Sequence, residues 1–94
     1  MKRILLSTLL LLCVLCAAAQ KPVRVACIGD SITYGYGLED RDKDSYPSQL
    51  QGLLGERWLV GNFGKNGATL LRHGHRPYVA QPEFSDALGF GADV

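Results

Sequence analysis

Residues 23–35 read Val-Arg-Val-Ala-Cys-Ile-Gly-Asp-Ser-Ile-Thr-Tyr-Gly, an apolar, β-branched run that breaks into a polar turn. The alternation from Val23 to Ile28 predicts a buried strand. A strand that ends in Gly29-Asp30-Ser31 narrows the choice of folds. In an open α/β sheet, the residues just past the carboxyl ends of the strands are the ones that build the active site. Gly29 lets the backbone turn sharply there, and Gly35 relieves crowding a few residues later. Ser31 is therefore a candidate nucleophile. Gly-Asp-Ser is also an ordinary turn tripeptide, because all three residue types favour turns, so its meaning depends on the rest of the chain.

The downstream pattern has the order of a parallel α/β sheet. Residues 34–44 read as a loop, with Gly35 and Gly37 early and charges late. A helix is predicted to start at Ser45–Pro47, since proline suits a first helical turn. Tyr46, Leu50, Leu53 and Leu54 fall on one helical face, and Gly55 supplies a stop. Residues 58–63 predict a second strand and 64–67 a loop. Residues 69–81 carry no clear periodicity, and His73-Gly74-His75 and Pro77 discourage a long helix. Residues 82–88 predict a short helix with Phe84, Ala87 and Leu88 on one face and Gly89 as its stop. Residues 89–94 read as a turn followed by the first residues of another strand, as in the front part of a longer α/β domain. A sheet interrupted there is expected to be catalytically dead and poorly stable by itself.

The N-terminus bounds location. Met1-Lys2-Arg3, the apolar stretch from Ile4 to Leu15 and Ala17-Ala18-Ala19 have the form of a secretory signal peptide, cut after Ala19. The apolar stretch is shorter than the ~20 residues a membrane span needs. Residues 1–19 are thus read as a signal and 20–94 as the N-terminal part of an exported domain, periplasmic or extracellular. Cys13 and Cys16 raise the alternative of a lipid anchor, but Leu12 and Leu15 precede them instead of the usual small residue. Cys27 is then left alone in the first strand, where it is expected to pack as a small hydrophobe. Removing Lys2 and Arg3 leaves eight basic against nine acidic residues, a net charge of −1, which argues against nucleic acid as a partner.

The second strand is followed by Asn62-Phe63-Gly64-Lys65-Asn66-Gly67-Ala68-Thr69. In a parallel sheet this loop lies beside the exit of the first strand, and a glycine there lets an N–H approach a bound group. Acyl transfer depends on such donors for its developing oxyanion. Gly29-Asp30-Ser31 together with Asn62 and Gly67-Ala68-Thr69 resembles the first two sequence blocks of the SGNH, or GDSL-type, hydrolases. The resemblance runs from Val23 to Val94. It implies a three-layer α/β/α parallel sheet of flavodoxin-like build, with Ser31 as nucleophile and the N–H groups of Ser31 and Gly67 in the oxyanion hole. It makes Asp30 a structural aspartate and Asn62 a scaffold residue. The family's Gly-x-Asn-Asp and Asp-x-x-His blocks have no counterpart in the chain, and a serine without a base is a poor nucleophile. Among family branches, the whole chain most resembles secreted bacterial sialate O-acetylesterases, a likeness carried by residues 64–77.

Other candidates read as ordinary surface. His73 and His75 are two apart with no third histidine to complete a zinc site. Asp40, Asp42 and Asp44 imitate the start of a calcium loop, but Ser45 and Gln51 stand where such a loop needs Gly and Glu. No metal or cofactor is implied. Tyr34, Tyr36 and Tyr46 are equally suited to stacking on a sugar or to covering the core edge. The sequence thus predicts an exported serine esterase acting on O-acyl, above all O-acetyl, esters of small molecules or carbohydrate such as sialic acid. The alternatives are a lipid esterase or thioesterase on the same scaffold, or a non-catalytic carbohydrate-binding or interaction module.

Overall fold

The structure, a computed structural model, describes residues 2–18 and 20–94. The expected cleavage point, Ala19, lies outside those residues, as do the side chains of Cys13 and Cys16. Helix α1, Lys2–Ala18, has 17 residues. At 1.5 Å per residue such a helix rises about 26 Å, short of a ~30 Å hydrocarbon core. No helix among the described residues is long and apolar enough to cross a membrane.

Strands β1 (Val23–Gly29) and β2 (Trp58–Gly64) pair in parallel, in register from Val23 opposite Trp58 to Gly29 opposite Gly64. Parallel neighbours need a long crossover, and here three helices supply it: α2 (Ser31–Tyr34), α3 (Arg41–Asp44) and α4 (Tyr46–Leu54). The other edge of β1 is also engaged. Ala26 N–H donates to Val94 O at 2.9 Å, and Val94 N–H donates to Arg24 O at 3.0 Å. Bonds that straddle Val25 in this way are those of a parallel partner. β1 therefore lies between β2 and the end of the chain.

Alternation along the strands separates two faces. Cys27 and Asn62 are directly opposite each other and share one face; Ala26 and Gly61 are on the other. On the first face, Tyr46 at the start of α4 hydrogen-bonds the Thr33 hydroxyl at 3.0 Å. On the second, helix α5 (Pro82–Gly89) leads into Phe90, whose ring lies 5.2 Å from that of Phe63. Gln51 closes the outer edge of β2: its amide donates to Trp58 O at 2.8 Å and accepts from Val60 N–H at 2.7 Å. Those are the groups a further strand would have paired, so the edge is capped by a side chain. The architecture is mixed helix and strand around a two-stranded parallel sheet, compatible with an α/β class.

Several local expectations are corrected. The stretch 34–44 is not all loop: Ser31–Tyr34 and Arg41–Asp44 form short helices. Arg41–Asp44 is held by Asp40 O accepting from Asp44 N–H at 2.9 Å. The α4 face is rotated from the predicted one. Pro47 is buried, whereas Leu53 is 84% exposed. Packing centres on Pro47, Leu50 and Leu54, the i, i+3, i+7 row, and Leu53 falls about 90° from its middle at 100° per residue. In α5, Ala87 is buried but Leu88 is 68% exposed. Gly89 belongs to the helix rather than ending it, and the left-handed residue comes later, at Gly91 (φ +70°).

Candidate active site

The site grows from the turn that ends β1. Asp30 is the N-cap of α2: its carboxylate accepts from Ile32 N–H at 2.9 Å. The carbonyl of Ser31 accepts from Gly35 N–H at 3.0 Å and Tyr36 N–H at 3.1 Å, which closes the turn. Gly35, at φ +92°, is in the left-handed region that ends a helix without steric cost. At Gly29 a side chain would run into the Thr33 hydroxyl, which is why the strand can curl straight into α2 only with glycine there. Ser31 is half-buried at the first position of this helix. The N–H of that position has no intrahelical acceptor, and the Ser31 hydroxyl forms no hydrogen bond among the described residues.

The second loop is pinned to the first. Asn62 Nδ2 donates to Thr33 O at 2.8 Å, and Asn62 Oδ1 accepts from Gly64 N–H at 3.0 Å. One side chain thus ties α2 to the end of β2. Lys65 N–H then donates to Gly29 O at 2.9 Å, carrying the strand ladder one step further. Gly64 is needed because a Cβ there would lie 2.7 Å from Tyr34 Cα. Past it, Ala68 N–H donates to Lys65 O at 3.1 Å and closes a four-residue turn. Gly67 has φ +77° and Asn66 has no positive φ, the pattern of a type II turn. Among the described residues nothing accepts from Gly67 N–H.

The two loops border one pocket of about 180 Å³. Ile28, Gly29 and Asp30 line it from the β1 side and Ala68, Thr69, Leu70 and Tyr78 from the other. Ser31 directly follows this lining in sequence and Gly67 directly precedes its second part, and neither is itself part of it. The far wall comes from the stretch that showed no periodicity. Thr69 bridges to Pro77 in parallel, Thr69 N–H donates to Arg76 O at 2.8 Å, and Tyr78 N–H donates to Thr69 O at 2.9 Å. Tyr78 begins a 3₁₀ turn, Tyr78–Ala80, and its hydroxyl donates to Phe63 O at 2.7 Å. Arg76 reaches back so that Nη1 donates to Asn66 O at 3.0 Å. Sequence reasoning missed Arg76 and Tyr78. Their only sequence signal is Pro77 between them, which favours an extended residue before it.

Burial pushes the Cys27 thiol up in pKa, with a weaker opposing effect from a hydrogen bond to Tyr46. Burial also raises the Tyr78 hydroxyl, helped by the negative charges of Glu83 and Asp86. His73 and His75 are exposed, as are Asp40, Asp42 and Asp44. Tyr36 is exposed, and Tyr34 is covered by the Arg41 guanidinium 3.9 Å above its ring.

No protein-family model matches the chain, and no solved structure matches it. It is similar to a curated protein, an acetylxylan esterase of Xylanibacter ruminicola. The two are 47% identical over 78 residues, which make up 83% of this chain and 16% of that enzyme. The chain thus spans about a sixth of the length of the curated relative it matches.

Proposed function

We propose that this chain carries the nucleophile half of a serine esterase of the SGNH type, exported by its N-terminal signal and acting on O-acetyl groups of carbohydrate. The observation that carries the reading is the pairing of the Ser31 turn with the Gly67 loop over a common pocket, the two held together by Asn62 and by the Lys65–Gly29 hydrogen bond. The similarity to an acetylxylan esterase supports ester hydrolysis. It also moves acetylated xylan ahead of acetylated sialic acid as the substrate to test first.

In this mechanism Ser31 Oγ attacks the acetyl carbonyl carbon. The N–H groups of Ser31 and Gly67, both without an internal acceptor, take the charge that develops on the carbonyl oxygen. The sugar hydroxyl leaves, and water then releases acetate from Ser31. Asp30 serves the turn, since its carboxylate is engaged with Ile32 N–H. The base that accepts the Ser31 proton is proposed to come from residues outside these 94, in line with the small share of the relative that they cover.

The test is acetate release from acetylated xylan and from a small acetyl ester by the full-length protein and its Ser31→Ala variant. We expect turnover to fall by about four orders of magnitude or more in a folded variant, as when a serine nucleophile is removed. Near-normal turnover by a folded Ser31→Ala protein would overturn the reading.

A further inference from the structure

We infer that Arg76 is a positioning residue that sets the direction of the Gly67 N–H. The inference rests on the esterase reading for its catalytic consequence but not for its geometry. The carbonyl of Asn66 and the N–H of Gly67 belong to one peptide group, the central one of the turn from Lys65 to Ala68. Type I and type II turns share their end residues and differ mainly in this peptide. Between them ψ of the second residue changes by ~150° and φ of the third by ~170°, which turns the central peptide almost upside down. Gly67 has φ +77°, so the peptide is in its type II orientation.

Glycine permits that orientation but does not require it, because glycine occupies either sign of φ about equally well. Something else must choose. The Asn66 side chain does not, since its Oδ1 is buried without a hydrogen-bond partner. The turn-closing bond from Ala68 N–H to Lys65 O is compatible with both types. The group that distinguishes them is Arg76, whose Nη1 donates to the Asn66 carbonyl at 3.0 Å. A flipped peptide would point that carbonyl away and break a charge-assisted bond, the stronger class of hydrogen bond. The backbone of Arg76 is held by its carbonyl, which accepts from Thr69 N–H at 2.8 Å, so its exposed side chain starts from a set position beside the turn. The guanidinium also polarises the peptide it holds. A hydrogen bond to the carbonyl strengthens the N–H of the same peptide as a donor. Orientation and donor strength therefore come from one contact.

The experiment uses the full-length protein labelled with carbonyl-¹³C asparagine and ¹⁵N glycine. Asn66-Gly67 is the one Asn-Gly pair in this sequence, and Gly67→Ala identifies its amide resonance. In Arg76→Gln we expect that resonance to move and kcat on an acetyl ester to fall about tenfold, as expected when an oxyanion donor is misplaced rather than removed. KM should change by less than about twofold, since the contact acts in the transition state. Arg76→Lys, which keeps a cationic donor, should recover part of both effects. An amide resonance unmoved in Arg76→Gln would overturn the inference whatever the protein's activity. A moved resonance with unchanged kcat, in a protein that Ser31→Ala inactivates, would overturn its catalytic half. If Ser31→Ala leaves turnover intact, the esterase reading fails, while a moved resonance still supports Arg76 as the residue that sets the turn.

Discussion

Asn62 does more for the candidate site than any other single side chain. Its amide spends both ends on backbone, holding Thr33 O and Gly64 N–H, and so joins the serine turn to the strand that delivers the Gly67 loop. Replacing it with leucine, similar in size, leaves two part-buried backbone groups without their partner. Each such loss costs on the order of 1–3 kcal/mol. We expect Asn62→Leu to lower the thermal midpoint of the full-length protein and to reduce kcat through a loosened serine turn, measured by calorimetry and ester hydrolysis on one sample. Asn62→Asp keeps the acceptor for Gly64 N–H and should be the milder change. A Leu variant as stable as wild type would show that the clamp holds nothing. Asn62 and Gly67 both stood out in the sequence because they fall at the end of a predicted strand and in the glycine-bearing loop after it, within one motif-like block. Arg76 did not, because its partner is a main-chain carbonyl, and nothing in a side-chain pattern announces a carbonyl.

Among the elements, both strands were legible, the first from alternation and β-branching, and each runs one residue longer than expected, onto Gly29 and Gly64. Those additions have one cause. The ladder continues through glycines that close approach of α2 requires, whereas propensity reads glycine as a stop. The face of α4 was misjudged because periodicity counts apolar residues alone. Gln51 has the most demanding job on that helix, capping the β2 edge, and Leu53 is left in solvent. The irregular wall from Thr69 to Ala80 was illegible because its order comes from long hydrogen bonds rather than period. Tyr78 anchors it by donating to Phe63 O. Tyr78→Phe should destabilise by about 1 kcal/mol, the usual net worth of such a bond. Because the folded state raises the Tyr78 pKa, its contribution is complete below the ordinary tyrosine value of ~10 and is lost as pH rises through the raised value. Wild type should thus lose its advantage over Tyr78→Phe in alkaline denaturation series. A gap between the two that stays constant up to pH 11 would contradict this account.

At the scale of the whole molecule, few apolar residues among those described are buried: Cys27, Pro47, Tyr78 and Ala87. Beside them Leu70 is 95% exposed, Leu71 72% and Ile28 53%. Ile28 lies within β1 and Leu70 lines the pocket, so this exposed surface is continuous with the site itself. We expect residues 20–94 expressed alone to bind a hydrophobic dye, to associate at micromolar concentration and to unfold without a sharp transition. A cooperative, monomeric 20–94 segment would refute that expectation and would return His73 and His75 to consideration as the base. The parallel order of the strands was readable from sequence. Which groups complete their surroundings was not, since exposure depends on neighbours and not on the residues exposed.

The pairing of Val23 with Trp58, and of Val25's neighbours with Val94, has a consequence in time. The first strand to leave the ribosome finds its partners only after more than thirty further residues have followed it, and its second partner only at the last residue of this segment. Until then it has no ladder to join. Ladder formation on β1 is therefore a late event, and the turn that carries Ser31 is set only once both late-arriving partners are in place.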